Sequence, residues 1–208
     1  MVRPEFVRRP WSDLVYYSPE QTKVVYSGVI SANGLAANSD KSEIYMTACH
    51  GAGFYILRPG GSHDPTVLEL EAFLKLDYYV DNPTYDPTTD SVFIAGHLQP
   101  LKFVAGLEVP HVRLAGPSKV IKISKNSLKH QQEQLSHQHS LVDTLKKALT
   151  NRGPEPGNRY HVETVIQDDG GLISTSATAA IDRKNGVVLI AAVLSEQGLI
   201  RCPLPKGF

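Results

Sequence analysis

The feature that most constrains the fold of this chain is a repeated unit of a short strand, a polar turn and an apolar strand. The polar turn is Asn38–Ser42 in the first unit and Asp86–Asp90 in the second. The two units begin about 48 residues apart, which is the length of one propeller blade. A third unit begins at Ser176, beyond an insertion. Sandwiches, barrels and propellers all contain short punctuated strands, and the repeat favours an all-β propeller among them.

Runs of β-branched and aromatic residues between turn residues predict the individual strands. Asn33-Gly34 has the composition of a tight turn and is predicted to be one. Pro100 to Val104 is predicted to be the strand that follows the apolar strand of the second unit. The other predicted strands include Leu14–Tyr17, Lys23–Tyr26, Glu43–Ala48, Gly53–Leu57, Val92–Ile94, Val187–Ile190 and Gly198–Cys202.

The segment 125–158 departs from this pattern. Its apolar residues recur at the spacing of one helix face, and Gly153-Pro154 is a helix stop signal. We therefore expect a single incomplete propeller domain, residues 1–208, with one amphipathic helix inserted at 125–158. The apolar face of this helix consists of Leu128, Leu135, Val142, Leu145 and Leu149.

Composition excludes several classes of function. The 208 residues carry 21 basic and 21 acidic side chains, so the basic excess typical of nucleic-acid binders is absent. No apolar run is long enough to span a bilayer, and the first residues do not form a signal peptide. The cellular compartment is not predicted. Cys49 and Cys202 lack the spacing of a zinc site. They are interpreted as free thiols, although a bond between them is not ruled out by the sequence.

Asp81 and Asn82 place a carboxylate and an amide side by side where an apolar strand is about to begin. Neither residue favours a strand. One interpretation is a turn that these side chains build through their own backbone hydrogen bonds. The other is a site for a hard cation such as calcium, which binds six to eight oxygen ligands. On the two residues alone, the turn is favoured.

The chain resembles the paraoxonase (arylesterase) family of calcium-dependent, six-bladed β-propeller hydrolases. Three segments carry this resemblance, in family order: Trp11-Ser12-Asp13-Leu14-Val15-Tyr16-Tyr17-Ser18-Pro19 with Ser31-Ala32-Asn33-Gly34, then Val80 to His97, then Ser174 to Leu204. The resemblance implies about half of a six-bladed propeller. It also implies a hydrolase that acts on small ester or lactone substrates.

The family pattern also implies roles for individual residues. Asn33 matches one calcium ligand, and Asp81 and Asn82 match an adjacent pair of ligands. The ion would act as a Lewis acid on a carbonyl or phosphoryl oxygen. His97 matches a histidine in the wall of the active site, where it would contact the substrate or position water. Its alternative role is a strand-end histidine that hydrogen-bonds a neighbouring carbonyl.

The resemblance begins in the middle of the family sequence. The family's N-terminal half supplies further calcium ligands, the histidines assigned as general base, and a cysteine that pairs with the one matched by Cys202. We therefore expect a fragment or a truncated product. The alternative is a short protein that completes its ring by forming a homodimer.

Two other functions compete with the paraoxonase-like hydrolase. One is a non-catalytic propeller remnant or scaffold that lacks the N-terminal half of the site. The other is a gluconolactonase-like sugar lactonase, which shares an Asn-Gly pair and an aspartate ligand. Family members are often secretory or membrane-associated, but no location follows for this chain.

Overall fold

The computed structural model describes residues 9–60, 67–99, 101–102, 116–126, 159–193, 195 and 197–208. Within these residues the chain forms thirteen β-strands in four sheets, which confirms the all-β prediction. No helix in the described residues is long and apolar enough to cross a membrane.

The strands are antiparallel to their neighbours and follow one another along the chain. They are β1 (Ser12–Tyr17), β2 (Thr22–Val29), β3 (Ala32–Ala37), β4 (Ile44–Ala48), β5 (Gly53–Pro59), β6 (Leu68–Lys75), β7 (Tyr79–Asp86), β8 (Ser91–His97), β9 (Ser118–Lys125), β10 (Tyr160–Asp168), β11 (Ser176–Asp182), β12 (Val187–Ala192) and β13 (Leu199–Pro203).

The two-stranded sheet β1–β2 precedes three larger ones, here named sheet I (β3–β6), sheet II (β7–β10) and sheet III (β11–β13). The first strands of sheets I, II and III contact one another in chain order. In a propeller, the innermost strands of successive blades surround the axis in this way. The arrangement is consistent with part of a propeller.

The hydrophobic core consists of layers between neighbouring sheets. On β8, Ile94 points into the layer shared with sheet I, where it joins Phe54 and Ile56. The adjacent Phe93 points the other way and joins Val188 and Ile190 of sheet III. Successive side chains of a strand alternate between faces, so sheet II is covered on both. This explains why every residue of β8 is buried.

A buried carboxylate joins sheets I and II. Glu43, which is 2% exposed, accepts hydrogen bonds from Tyr45 Oη at 2.7 Å and Arg58 Nη2 at 2.9 Å. Lys125 Nζ of sheet II lies 2.9 Å from Glu43 Oε2, the oxygen that also accepts from Tyr45. Burial alone would raise the pKa of Glu43. The hydrogen bonds from Tyr45, Lys125 and Arg58 outweigh burial, and its pKa lies below the ordinary value.

A second ion pair joins sheets II and III. Arg183 follows β11 and donates from Nε to Asp86 Oδ2 at 2.7 Å. Thr89 donates to the same oxygen at 2.7 Å, and the Thr88 amide donates to Oδ1 at 3.0 Å. These contacts fix the position of β7 and β8 relative to the neighbouring sheet.

The strand predicted at Pro100 to Val104 is wrong. The third strand of sheet II is β9, Ser118–Lys125, which pairs with β8 along its whole length. Leu101 and Lys102 are helical, and residues 100 and 103–115 lie outside the described residues. The regular spacing of the repeat does not reveal that a long connection separates β8 from its partner.

Asn33-Gly34 is also not a turn. Both residues lie within β3, and the turn that closes the hairpin comes later, at residues 39–42. Asp81 and Asn82 likewise lie inside β7 and not ahead of it. The short-range preference of these residues for turns is overridden by the pairing of each strand with its neighbour.

The insertion falls in the connection between β9 and β10. Lys125 pairs with Tyr160, and the Asn126 amide donates to the Arg159 carbonyl at 2.9 Å. The chain therefore leaves and rejoins sheet II at one point. Lys125 is the last residue of a strand and not part of a helix. The rest of the predicted helix, residues 127–158, lies outside the described residues and stays a prediction.

Candidate active site

The first strands of sheets I, II and III each contain a β-bulge near their N-terminal end. In β3 the bulge lies between Ala32 and Leu35 and contains Asn33 and Gly34. In β7 it lies between Val80 and Pro83 and contains Asp81 and Asn82. In β11 it contains Ala177. A bulge redirects side chains that a regular strand would send to opposite faces. It also accommodates residues with low strand propensity, which explains why Asp81 and Asn82 are found in a strand.

Sheets I and II approach each other closely at these bulges. A Cβ atom at Gly34 would lie 2.6 Å from Asn82 Oδ1 and 2.5 Å from Pro83 Cδ, both below normal contact distances. The Gly34 amide donates to Thr47 Oγ1 at 3.0 Å, which satisfies a group that the bulge removes from the ladder. The glycine is therefore required for space and brings Asn33 beside the Asp81-Asn82 pair.

Asp81 is buried, and His97 is its partner in sheet II. His97 Nε2 lies 3.3 Å from Asp81 Oδ2, and His97 is 1% exposed. The imidazole reaches the carboxylate because β8 ends at His97, where it pairs with Tyr79 at the start of β7. His97 is therefore close enough to orient the Asp81 carboxylate.

Asn82 connects sheet II to sheet III. Its Nδ2 donates to Asp81 Oδ1 at 2.8 Å and to the Ala177 carbonyl at 3.0 Å. Because the amide nitrogen is used in both contacts, the amide oxygen is directed elsewhere and lies beside Gly34. The bulges of sheets I and II carry polar side chains, whereas Ala177 in the bulge of sheet III has none. Sheet III contributes its backbone carbonyl to this contact.

Asn33 is exposed, and its side chain contacts the thiol of Cys49. Burial raises the pKa of Cys49 to about 12, and the negative charge of Asp81 acts in the same direction, whereas the hydrogen bond with Asn33 opposes them. The thiol is therefore protonated at neutral pH and is not a nucleophile. Cys49 and Cys202 are both free cysteines.

Asn33 lies in the bulge of β3, and Asp81 and Asn82 lie in the bulge of β7. Their role as calcium ligands stays a prediction. Their donors are one carboxylate and two amide oxygens, which are hard ligands of the kind that calcium prefers. No cluster of three or more His, Cys, Asp or Glu suited to a metal occurs among the described residues. The donor set thus fits calcium in chemical type and relies on amides for two of its members.

Sequence reasoning missed Cys49, Gly34 and Ala177 as neighbours of this site. The sequence predicts Cys49 only to be a free thiol and Gly34 only to be a turn residue. The available signal was the constant distance along the chain from Asn33 to Asp81 and from Cys49 to His97, about 48 residues in both cases. The strand register makes these residues equivalent, because Ala32 pairs with Ala48 as Val80 pairs with Gly96.

The sequence of this chain is similar to known hydrolases. The family model described as Arylesterase matches residues 2–140. Serum paraoxonase/lactonase 3 of Mus musculus is 31% identical over 94 residues, which cover 45% of this chain and 26% of that protein. Serum paraoxonase/arylesterase 2 of Bos taurus is 37% identical over 87 residues, 42% of this chain and 24% of that protein.

The matched part spans about a quarter of the length of these curated relatives. The family model covers more than half of this chain. The family resemblance is thereby confirmed. The match includes the first two of the three segments, whereas Ser174 to Leu204 lies outside it. The chain belongs to the arylesterase family.

Proposed function

We propose that this chain takes part in the calcium-dependent hydrolysis of small esters or lactones. The observation that carries the proposal is the pair of equivalent bulges in β3 and β7. They contain Asn33, Asp81 and Asn82, and they approach each other closely at Gly34. Membership of the arylesterase family supports the reaction class.

Each residue has a distinct role in this proposal. Asp81 provides the negative charge, and Asn33 and Asn82 provide neutral oxygens. The contacts of Asn82 Nδ2 fix which way its amide faces. His97 holds the Asp81 carboxylate and acts as a positioning residue. When bound, calcium would polarise a carbonyl oxygen and stabilise the charge that develops on it.

The sheets are proposed to form about half of a six-bladed propeller. Sheets I, II and III supply three successive blades, and β1–β2 would belong to a fourth. A second copy that completes the ring is the partner proposed for this chain alone. Light scattering at several protein concentrations tests it, since a ring of two copies has twice the mass of one. A monomer at all concentrations rejects this arrangement.

The test of function is hydrolysis of phenyl acetate and of a δ-lactone, with calcium, with chelator, and after calcium is restored. We expect turnover only when calcium is present. Turnover that is equal with and without calcium would reject the metal role. No turnover above that of denatured protein would indicate a scaffold. A preference for sugar lactones over aryl esters would indicate a sugar lactonase.

Binding is measured separately by the thermal shift that calcium causes. Asp81→Asn should abolish the shift, because it removes the charge and keeps the size of the side chain. Asp13→Asn is the matched control, since Asp13 is an exposed residue of β1. A calcium-induced shift that survives in Asp81→Asn would contradict the assignment of this residue as ligand.

A further inference from the structure

A serine and a histidine form a close pair beside the candidate calcium site. Ser31 Oγ lies 2.7 Å from His50 Nδ1, and both residues are half-buried. Neither belongs to the ligand set proposed above. A hydroxyl within hydrogen-bond distance of an imidazole is the arrangement that activates a serine as a nucleophile.

The backbone holds this pair in place on both sides. Ser31 directly precedes β3 and has a φ of 55°, a left-handed conformation that is uncommon for residues other than glycine. The Cys49 amide donates to the Ser31 carbonyl at 2.9 Å. Ser31 and His50 are therefore attached to the same two chain segments as Asn33 and Cys49.

The imidazole of His50 is also fixed by an aromatic ring. His50 and Tyr79 pack edge to face, with ring centroids 5.1 Å apart and an interplanar angle of 81°. Tyr79 begins β7, two residues before Asp81. The pair therefore lies at the end of the strands that carries the candidate site. Burial lowers the pKa of His50, which favours the neutral ring that accepts a proton.

We propose that Ser31 and His50 are a nucleophile–base pair that accepts acyl or phosphonyl groups from activated esters. With the imidazole proton on Nε2, the Ser31 hydroxyl donates to Nδ1. As Ser31 Oγ forms a bond to the carbonyl carbon, its proton passes to Nδ1. The bond from that carbon to the leaving oxygen breaks, and the proton passes from Nδ1 to the leaving oxygen.

The second half of the cycle uses the same groups in reverse. Water attacks the acyl carbon, and its proton passes to Nδ1. The ester bond to Ser31 Oγ breaks, and that proton returns to Oγ. No oxidant or metal is consumed, so this chemistry stands apart from the proposed calcium site. It adds to the proposed hydrolase function a second mechanism, in which the substrate's acyl group is bound covalently to Ser31 without calcium.

The experiment uses a fluorophosphonate reagent, which traps activated serines by forming a bond to phosphorus as fluoride leaves. The full chain is labelled in the presence of chelator and analysed by intact mass and peptide mapping. We expect one adduct, on Ser31. Because chelator is present throughout, failure of the calcium proposal does not affect this result.

Two variants and two controls decide the assignment. Ser31→Gly removes the hydroxyl and tolerates the positive φ, so it should fold and take no label. His50→Gln should label at least about 100-fold more slowly, as expected for the loss of a general base. Ser42→Ala changes an exposed serine that donates to Asp40, and His161→Gln changes an exposed histidine. Both controls should label at the wild-type rate.

Three outcomes would overturn the proposal. These are the absence of an adduct, an adduct on another residue, and a labelling rate that His50→Gln leaves unchanged. If His50→Gln leaves the labelling rate unchanged, the hydrogen bond between Ser31 and His50 only orients the two side chains. Circular dichroism of each variant confirms that it is folded before its labelling rate is compared.

Discussion

Asn33 in sheet I and Asp81 in sheet II occupy the same position of equivalent bulges, but their partners differ. Asn33 contacts the thiol of Cys49, whereas Asp81 lies 3.3 Å from the imidazole of His97. The two bulges have the same strand register, but the side chains that contact Asn33 and Asp81 differ in chemistry. In the proposed calcium site, sheet II would supply the charge and sheet I a neutral oxygen. Gly34 of sheet I lets the two sheets approach each other. A second carboxylate at position 33 would instead bring two negative charges together.

The largest difference between the two positions should appear in calcium affinity. Asp81→Asn is expected to weaken binding by about 100-fold or more, because the charge of the ligands sets calcium affinity. Asn33→Ala removes a proposed neutral ligand and should weaken calcium binding less. Titration calorimetry measures both. Equal losses in the two variants would show that the two sheets contribute alike.

The two partners should differ in their effect on stability. His97→Ala is expected to lower the free energy of unfolding by about 2 to 3 kcal/mol, because it leaves a buried carboxylate without its imidazole. Cys49→Ala should cost about 1 kcal/mol, since the thiol is small and contacts a neutral amide. Urea denaturation compares them. A larger loss for Cys49→Ala would reverse the roles assigned to the two positions.

The close approach of the sheets should depend on Gly34. Gly34→Ala is expected to destabilise the fold by about 2 kcal/mol, because its methyl group would overlap Asn82 and Pro83. Gly171→Ala is the control, since its methyl group would meet only the end of the exposed Asp169 side chain. Urea midpoints report both variants. If Gly34→Ala left the urea midpoint unchanged, the close approach of the two bulges would not depend on a glycine at this position.

The ion pairs of Glu43, which join sheets I and II, should have a smaller effect than Gly34. Glu43→Gln should lower stability at neutral pH by about 1.5 kcal/mol, a modest value because Arg58 and Lys125 are about half exposed.

The folded-state pKa of Glu43 lies below its ordinary value of 4.5. Its contribution is therefore present above pH 4.5 and is lost as the pH falls through the folded-state pKa. The difference in urea midpoint between wild type and Glu43→Gln should shrink below that pH. A difference that is constant with pH would show that the charge of Glu43 is not involved.

Much of the fold follows from the sequence because strands and turns are local. The apolar runs of β4, β5 and β12 and the polar turns between strands are visible in short windows of the sequence. The β8–β9 pairing is not, since a long connection hides the partner. Neither is the role of Gly34, because the need for space is set by a residue far along the chain.

In the candidate site, the sequence also does not reveal which residues of sheets I and II are equivalent, because this depends on the strand register. Ala48-Cys49-His50 and Ala95-Gly96-His97 look like counterparts, which would make His50 equivalent to His97. The pairing of the strands shows that Cys49 is the counterpart. A shift of one residue exchanges the two faces of a strand. The family pattern predicts the candidate ligands, but the side chains that contact them follow only from the structure.

Because Cys49 is buried, its reaction rate can be used to measure local opening of the strands around the candidate site. The buried thiol of Cys49 reacts with an alkylating reagent mainly when β3 and β7 separate. Only then can the reagent reach the sulfur and the thiol lose its proton to solvent. Cys202 is only half-buried and serves as the reference thiol in the same molecule. When strand closure is faster than alkylation, the ratio of the two rates, corrected for intrinsic reactivity, gives the equilibrium constant for local opening. The site that is proposed to bind calcium would then report how much a bound ion stabilises the closed form.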